Sequence, residues 1–139
     1  MLPLEGTVLI TISDKEKSDI VEAAKLFSEM GFKILATEKT KNLLSENGID
    51  SEFIKKLKEG RPNILDAVKN DEIQLIINTP REKHSQLDDS YIHKAAINHK
   101  IPYITTTAAA LASAKGIMAR RETPTFVKSL LDYHAEIKE

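Results

Sequence analysis

Apolar residues along this chain follow two alternating rhythms. Short, nearly continuous apolar runs appear at Thr7-Val8-Leu9-Ile10-Thr11-Ile12, Lys33-Ile34-Leu35-Ala36-Thr37, Ile73-Gln74-Leu75-Ile76-Ile77-Asn78 and Pro102-Tyr103-Ile104-Thr105. Between them the apolar positions recur every three or four residues. Ile20, Ala23, Ala24, Phe27 and Met30 mark an amphipathic helix that Gly31 closes. Strands apolar at every position are covered on both faces, and strands alternating with helices build βα units around a parallel sheet.

The remaining segments complete that pattern. Thr40 is predicted to cap a short helix carrying Leu43 and Leu44, which Gly48 stops. Ile49-Asp50 and Phe53 to Lys58 read as a weaker extended segment before the turn Gly60-Arg61-Pro62-Asn63. Asn63 is predicted to cap a helix bearing Ile64, Ala67 and Val68, and Ile92, Ala95 and Ala96 mark another that ends before Pro102. A small-residue helix is expected over Ala108 to Met118, then a last helix with Val127, Leu130, Leu131 and His134 starting after Pro124. There is no internal repeat or low-complexity tract. The expected fold is α/β: a three-layer helix-sheet-helix arrangement with a mainly parallel, doubly wound sheet of about five strands.

Length and charge narrow the function. The chain of 139 residues is expected to form one domain, residues 1–139, and its 41% apolar content fills a core. Twenty Lys and Arg against twenty-one Asp and Glu leave a net charge of −1, so neither a nucleic acid nor a membrane surface is an expected partner. Without cysteine there is no disulfide, thiolate zinc site or thiol nucleophile. Met1-Leu2-Pro3-Leu4-Glu5 lacks the features of a secretory signal, and the expected location is the cytoplasm.

Catalytic motifs are thin. His84, His93, His99 and His134 show no HExxH spacing, and no GxSxG or GxxxxGK[ST] string occurs. Neither a metal, nor a cofactor, nor a catalytic residue is expected. Asp14, Asp66 and Asp88-Asp89 are acidic candidates, but carboxylates near helix starts ordinarily serve as caps or partners of the helix dipole.

A parallel sheet binds ligands beyond the carboxyl ends of its strands, where helix N-termini present unpaired amides. The residues there are Ser13, Asp14, Lys15 and Lys17 after the first run, and Thr37, Lys39 and Thr40 after the second. Asn78, Thr79 and Pro80 follow the third, and Thr105, Thr106 and Thr107 the last. Hydroxyls, a carboxamide and ammonium groups gathered on one edge suit an anion such as phosphate or carboxylate. Each charge-assisted bond contributes about 1.5–3 kcal/mol. The competing reading is that the threonines and asparagine are helix caps and the lysines are solvated.

Four strings, Ser13-Asp14-Lys15-Glu16-Lys17, Gly31 through Thr40, Glu59-Gly60-Arg61-Pro62-Asn63-Ile64 and Ile76-Ile77-Asn78-Thr79, together resemble the C-terminal allosteric domain of the carbamoyl-phosphate synthase large chain. That domain belongs to the methylglyoxal-synthase-like family, and the resemblance runs in order from about Gly6 to Lys138. It implies a Rossmann-like, methylglyoxal-synthase-like sheet and a domain that does no chemistry itself. Such a domain binds an effector and regulates the catalytic domains of a parent ATP-dependent ligase, which makes carbamoyl phosphate for pyrimidine and arginine synthesis. Carried over residue by residue, the resemblance assigns the effector phosphate to Lys17, Thr37, Thr40 and Lys56. It assigns the rest of a uridine or inosine monophosphate to Asn78, with Thr79 beside it, and a second effector, ornithine, to Thr105.

Two departures bear on the effector. Lys39-Thr40 stands where nucleotide-binding members favour Gly-Thr, and Pro80, which has no amide hydrogen, stands where they often carry a second threonine. The branch that binds N-acetylglutamate has a non-glycine residue and a proline at comparable places. The Gly-Gly-Asp segment of the methylglyoxal synthases, with its catalytic aspartate, is replaced by Glu59-Gly60-Arg61-Pro62-Asn63. Three readings follow: an effector-binding regulatory domain, a lyase acting on dihydroxyacetone phosphate, and an interaction module without a small ligand.

Overall fold

The computed structural model describes residues 2–11, 17–56, 60–79 and 86–133, with side chains at 2–11, 19–56, 60–79 and 90–121. Strands and helices alternate throughout: β1 (Thr7–Thr11), α1 (Lys17–Glu29), β2 (Lys33–Ala36), α2 (Glu38–Glu46), β3 (Glu52–Phe53), α3 (Ile64–Lys69), β4 (Leu75–Asn78), α4 (Gln86–Asn98), β5 (Tyr103–Ile104) and α5 (Thr107–Tyr133). The five strands form one sheet in the order β3-β2-β1-β4-β5, with every pair parallel. The fold class read from the sequence is therefore the one observed.

Strand periodicity divides the core in two. Val8, Ile10, Ile34, Ala36, Leu75 and Ile77 face one layer, and the intervening Leu9, Leu35 and Ile76 face the other. On the first face Ile20, Ala23, Ala24 and Phe27 of α1 pack with Ala110, Ala114 and Ile117 of α5 and Leu44 of α2. Ile64, Ala67 and Val68 of α3 and Ile92, Ala95 and Ala96 of α4 fill the second. The alanines facing each other in α1 and α5 let two helix backbones approach closely over the middle of the sheet.

Four helices end on the same device. After α1, the Gly31 amide donates to Ser28 O and the Phe32 amide to Phe27 O, both at 3.0 Å, with Gly31 at φ +89°. This is the Schellman arrangement, and its usual apolar contact is present as an edge-to-face pair of Phe27 and Phe32 rings 5.2 Å apart. The ends of α2 at Gly48, α3 at Asp71 and α4 at Lys100 repeat the same two bonds. Asp71 and Lys100 take φ +58° without being glycine. Arg121 of α5 also donates to Met30 O, covering a carbonyl at the end of α1.

Three expectations are corrected. Thr40 lies inside α2, and the capping position belongs to Thr37, because the helix starts directly after β2 without an intervening turn. The weak extended segment shrinks to Glu52–Phe53, paired with Leu35 and Ala36, plus a bridge from Lys55 to Asn63; residues 57–59 lie outside the described residues. The two terminal helices are one, α5 running through Pro124. A proline removes one backbone bond and costs about 3 kcal/mol, but leaves the bonds on either side available. The side chains of Val127, Leu130 and Leu131, and all of His134, lie outside the described residues.

Candidate functional site

Since all strands run the same way, their carboxyl ends share one edge of the sheet, and every helix starts there. The buried polar residues among those described are Thr11, Thr37, Thr40, Asn63, Asn78, Thr79 and Thr107, and each sits at that edge. Burial of so many polar groups off the apolar core needs partners or a ligand. At the opposite, amino edge lies a surface hollow of about 270 Å³ bordered by Asp71, Gln74, His99 and Lys100. There His99 Nδ1 and Asp71 Oδ1 are 3.3 Å apart, and every polar residue on its rim is at least partly exposed.

Thr37 and Thr40 form the centre of the carboxyl edge. The Lys41 amide donates to Thr37 O at 2.8 Å, the first bond of α2, so the amides of Glu38, Lys39 and Thr40 precede the intrahelical ladder. A capping threonine ordinarily accepts from one of those amides. Thr37 does not: it makes no side-chain capping bond, and its Oγ1 is buried without a hydrogen-bond partner among the described residues. An unsatisfied buried hydroxyl costs about 1–3 kcal/mol. Thr40, also 1% exposed, is three residues along and shares that face of the helix.

The cationic candidates flank this point. Lys17 is the first residue of α1, after β1, and Lys56 is half-buried three residues past β3. The loops after β1, β2 and β3 are neighbours, spanning about 10 Å at the usual strand spacing, so the backbone positions of Lys17, Thr37, Thr40 and Lys56 share one end of the sheet. Ser13, Asp14, Lys15, Glu16, Glu59, Pro80 and His84 lie outside the described residues, as do the side chains of Lys17, Asp88 and Asp89. Lys39 and Glu38 are exposed on the first turn of α2, a cation and an anion side by side.

Asn78 and Thr79 stand at the end of β4, next to β1, where the strand order changes direction and open α/β sheets bind their ligands. Thr11 and Asn78 are register partners, and Thr11 Oγ1 donates to Asn78 Oδ1 at 2.5 Å. Asn78 Nδ2 in turn donates to the Tyr103 hydroxyl at 2.7 Å, and the His93 ring stacks on Tyr103 with centroids 4.3 Å apart. Sequence reading misses Thr11, Tyr103 and His93, because only strand pairing reveals that they meet Asn78. Thr105, exposed, follows β5, four strands from β3 and roughly 19 Å away, too far for one small molecule to touch both ends. Thr106 beside it is an ordinary cap, accepting from the Ala109 amide at 3.1 Å.

The turn before α3 is structural. Asn63 Oδ1 accepts from the Leu65 and Asp66 amides, and Asp66 Oδ2 accepts from the Asn63 amide, a complete capping box. Arg61 donates to both carboxylate oxygens of Asp66. The Arg61 bonds first, and then the Asn63 amide, hold the Asp66 carboxyl below the usual carboxylate range. A carboxylate so held is a poor proton acceptor at neutral pH. Among the described residues no three His, Asp or Glu side chains gather as metal ligands, and no helix is long and apolar enough to cross a membrane.

Comparison with known proteins gives a consistent picture. The family model of the MGS-like domain matches residues 19–105. The chain is 43% identical over 136 residues to the carbamoyl phosphate synthase large chain of Archaeoglobus fulgidus, covering 97% of this chain and 13% of that one. It is 46% identical over 134 residues to the C-terminal section of the large chain of Methanopyrus kandleri, covering 96% and 25%. The chain thus spans only a small part of the length of these relatives. Among solved structures, the methylglyoxal synthase of Elizabethkingia anophelis superposes with a TM-score of 0.60 at 17% identity, over 85% of this chain and 80% of that one, a likeness of fold.

Proposed function

Since the chain belongs to the MGS-like domain family, we propose that it is a single effector-binding domain that regulates the catalytic domains of a carbamoyl-phosphate synthase large chain. The observation that carries this is the Thr37 hydroxyl: buried, without a partner, and at the start of a nine-residue helix whose first amides precede the ladder. An anionic group there would accept from the Thr37 hydroxyl and from the amides that follow, on the positive end of the helix dipole. Thr40, Lys17 and Lys56 complete the anion's surroundings in this reading, while Asn78 and Thr79 face the remainder of a uridine or inosine monophosphate. Thr105, at the far end of the edge, is left for a second effector such as ornithine.

Regulation requires that the effector contact two states of the parent enzyme differently, and such coupling is typically about 1–3 kcal/mol. The domain supplies binding; the chemistry of carbamoyl phosphate synthesis belongs to the rest of the enzyme. A second reading, in which N-acetylglutamate is the effector, is favoured by Lys39 and Pro80 at positions where nucleotide binders differ. The lyase reading is disfavoured by Asp66, the acidic residue of the first turn of α3, being committed to Arg61 and the cap.

Thermal melting of the chain against uridine monophosphate, inosine monophosphate, N-acetylglutamate and ornithine tests the proposal. One anionic effector should raise the melting temperature, and Lys17→Ala or Thr40→Ala should abolish the rise. Flat curves across the panel would leave a pure interaction module, and methylglyoxal formed from dihydroxyacetone phosphate would restore the lyase.

A further inference from the structure

Asn78 is 4% exposed, and its carboxamide is strung between hydroxyls of the two flanking strands. A terminal amide torsion is broad and roughly two-fold, so nothing intrinsic to asparagine decides which way its oxygen and nitrogen face. Its two neighbours are hydroxyls, each able to donate or accept, so what they fix is the plane of the carboxamide and the place of its two polar ends. The Thr11 hydroxyl is fixed by the pairing of β1 with β4, in which Thr11 and Asn78 are directly opposed. Tyr103 is opposed to Ile76 in the pairing of β4 with β5, but β5 is an edge strand of two residues and the tyrosine is only half-buried. One side of its ring packs on the second core layer, and His93 of α4 stacks on it, nearly parallel at 14°.

We propose that Tyr103, covered by His93, is a positioning residue that holds the plane of the Asn78 carboxamide, and so the selectivity for the part of an anionic ligand beyond its phosphate. The inference rests on the effector-binding reading above. The start of α2 follows β2, and Asn78 ends β4, two strands away and about 10 Å off. A free phosphate at the start of α2 does not reach Asn78, whereas a nucleoside 5′-monophosphate, with its base well separated from its phosphate, does. The phenol therefore tunes one class of ligand and leaves the other untouched, a separation that a merely structural tyrosine does not produce.

The test is a pair of titrations, with inosine monophosphate and with inorganic phosphate, on the wild-type chain, Tyr103→Phe and His93→Ala. Tyr103→Phe keeps the ring and its stack but removes the hydroxyl. It is expected to weaken inosine monophosphate about fivefold, the worth of one neutral hydrogen bond, while phosphate stays within about twofold. His93→Ala, at an exposed position, is expected to shift the same ratio in the same direction by a smaller factor, and it carries the test if Tyr103→Phe fails to fold. An unchanged ratio of the two affinities, or a parallel loss of both, overturns the inference and leaves the effector reading standing. Wild-type chain that does not bind inosine monophosphate overturns this inference, and the effector reading then stands or falls on the other ligands of the melting panel.

Discussion

At the amino edge of the sheet four helices finish on the same pair of backbone bonds, apolar side chains seal the turns, and little polar chemistry is buried beyond the Ser51 hydroxyl, which also has no hydrogen-bond partner among the described residues. The carboxyl edge is built of the same repeating unit read from its other end, yet there the buried residues are threonines and asparagines, one with a hydroxyl that no described group satisfies. One edge is closed by the backbone and the other is left for side chains. A βα repeat can therefore place its stability and its binding chemistry at opposite ends, so that changes at one edge are felt in folding and changes at the other in recognition.

Substitutions at the two edges separate these roles. The largest effect is expected for Phe27→Ala, which empties a fully buried site in the first core layer and removes the ring contact that seals the end of α1. It should cost about 3–5 kcal/mol in denaturant unfolding. Thr37→Val, at the carboxyl edge, should act in the opposite sense. Removing an unsatisfied hydroxyl without changing the shape leaves stability equal or raises it by up to about 1 kcal/mol, while affinity for the effector falls about tenfold. A clear loss of stability in Thr37→Val would erase the distinction between the edges.

Smaller changes sharpen it. Lys100→Gly relieves a side chain from the left-handed region at the end of α4 and should stabilise the chain by about 0.5–1 kcal/mol with no effect on binding. Weakest of all is the Arg61–Asp66 pair, largely exposed on its arginine side. Because the folded Asp66 carboxyl titrates below its unfolded value, its contribution is present above the ordinary carboxylate range and is lost as pH falls through the folded value. Asp66→Asn should flatten that part of the acid limb of the stability curve, read by melting between about pH 2 and pH 6.

Much of the amino edge was legible in the chain. Glycine after an apolar periodic stretch announced the ends of α1 and α2, and the spacing of Ile20, Ala23, Ala24 and Phe27 announced the face that packs. Asp71 and Lys100 gave no such notice, because lysine does not favour a left-handed turn and aspartate, which tolerates one, is as common at caps and on exposed helix faces. At the carboxyl edge the residue types were visible but their roles were not. Thr37, read as the end of the second apolar run, is the cap, and Thr40, read as the cap, lies inside the helix, a difference that depends on where a strand stops. The link from Thr11 through Asn78 to Tyr103 joins residues 67 and 25 positions apart, and only the register of β1, β4 and β5 brings them together. Local periodicity has no knowledge of that register.

The most direct measurement is amide chemical-shift mapping of the chain titrated with inosine monophosphate, or with N-acetylglutamate if the melting panel selects it. Saturating shifts are expected at Glu38, Lys39 and Thr40, whose amides open α2, and at Thr79, while Gly31, Gly48, Asp71 and Lys100 stay in place. Shifts centred on those last four, with the start of α2 unmoved, would contradict an anion site at the carboxyl edge.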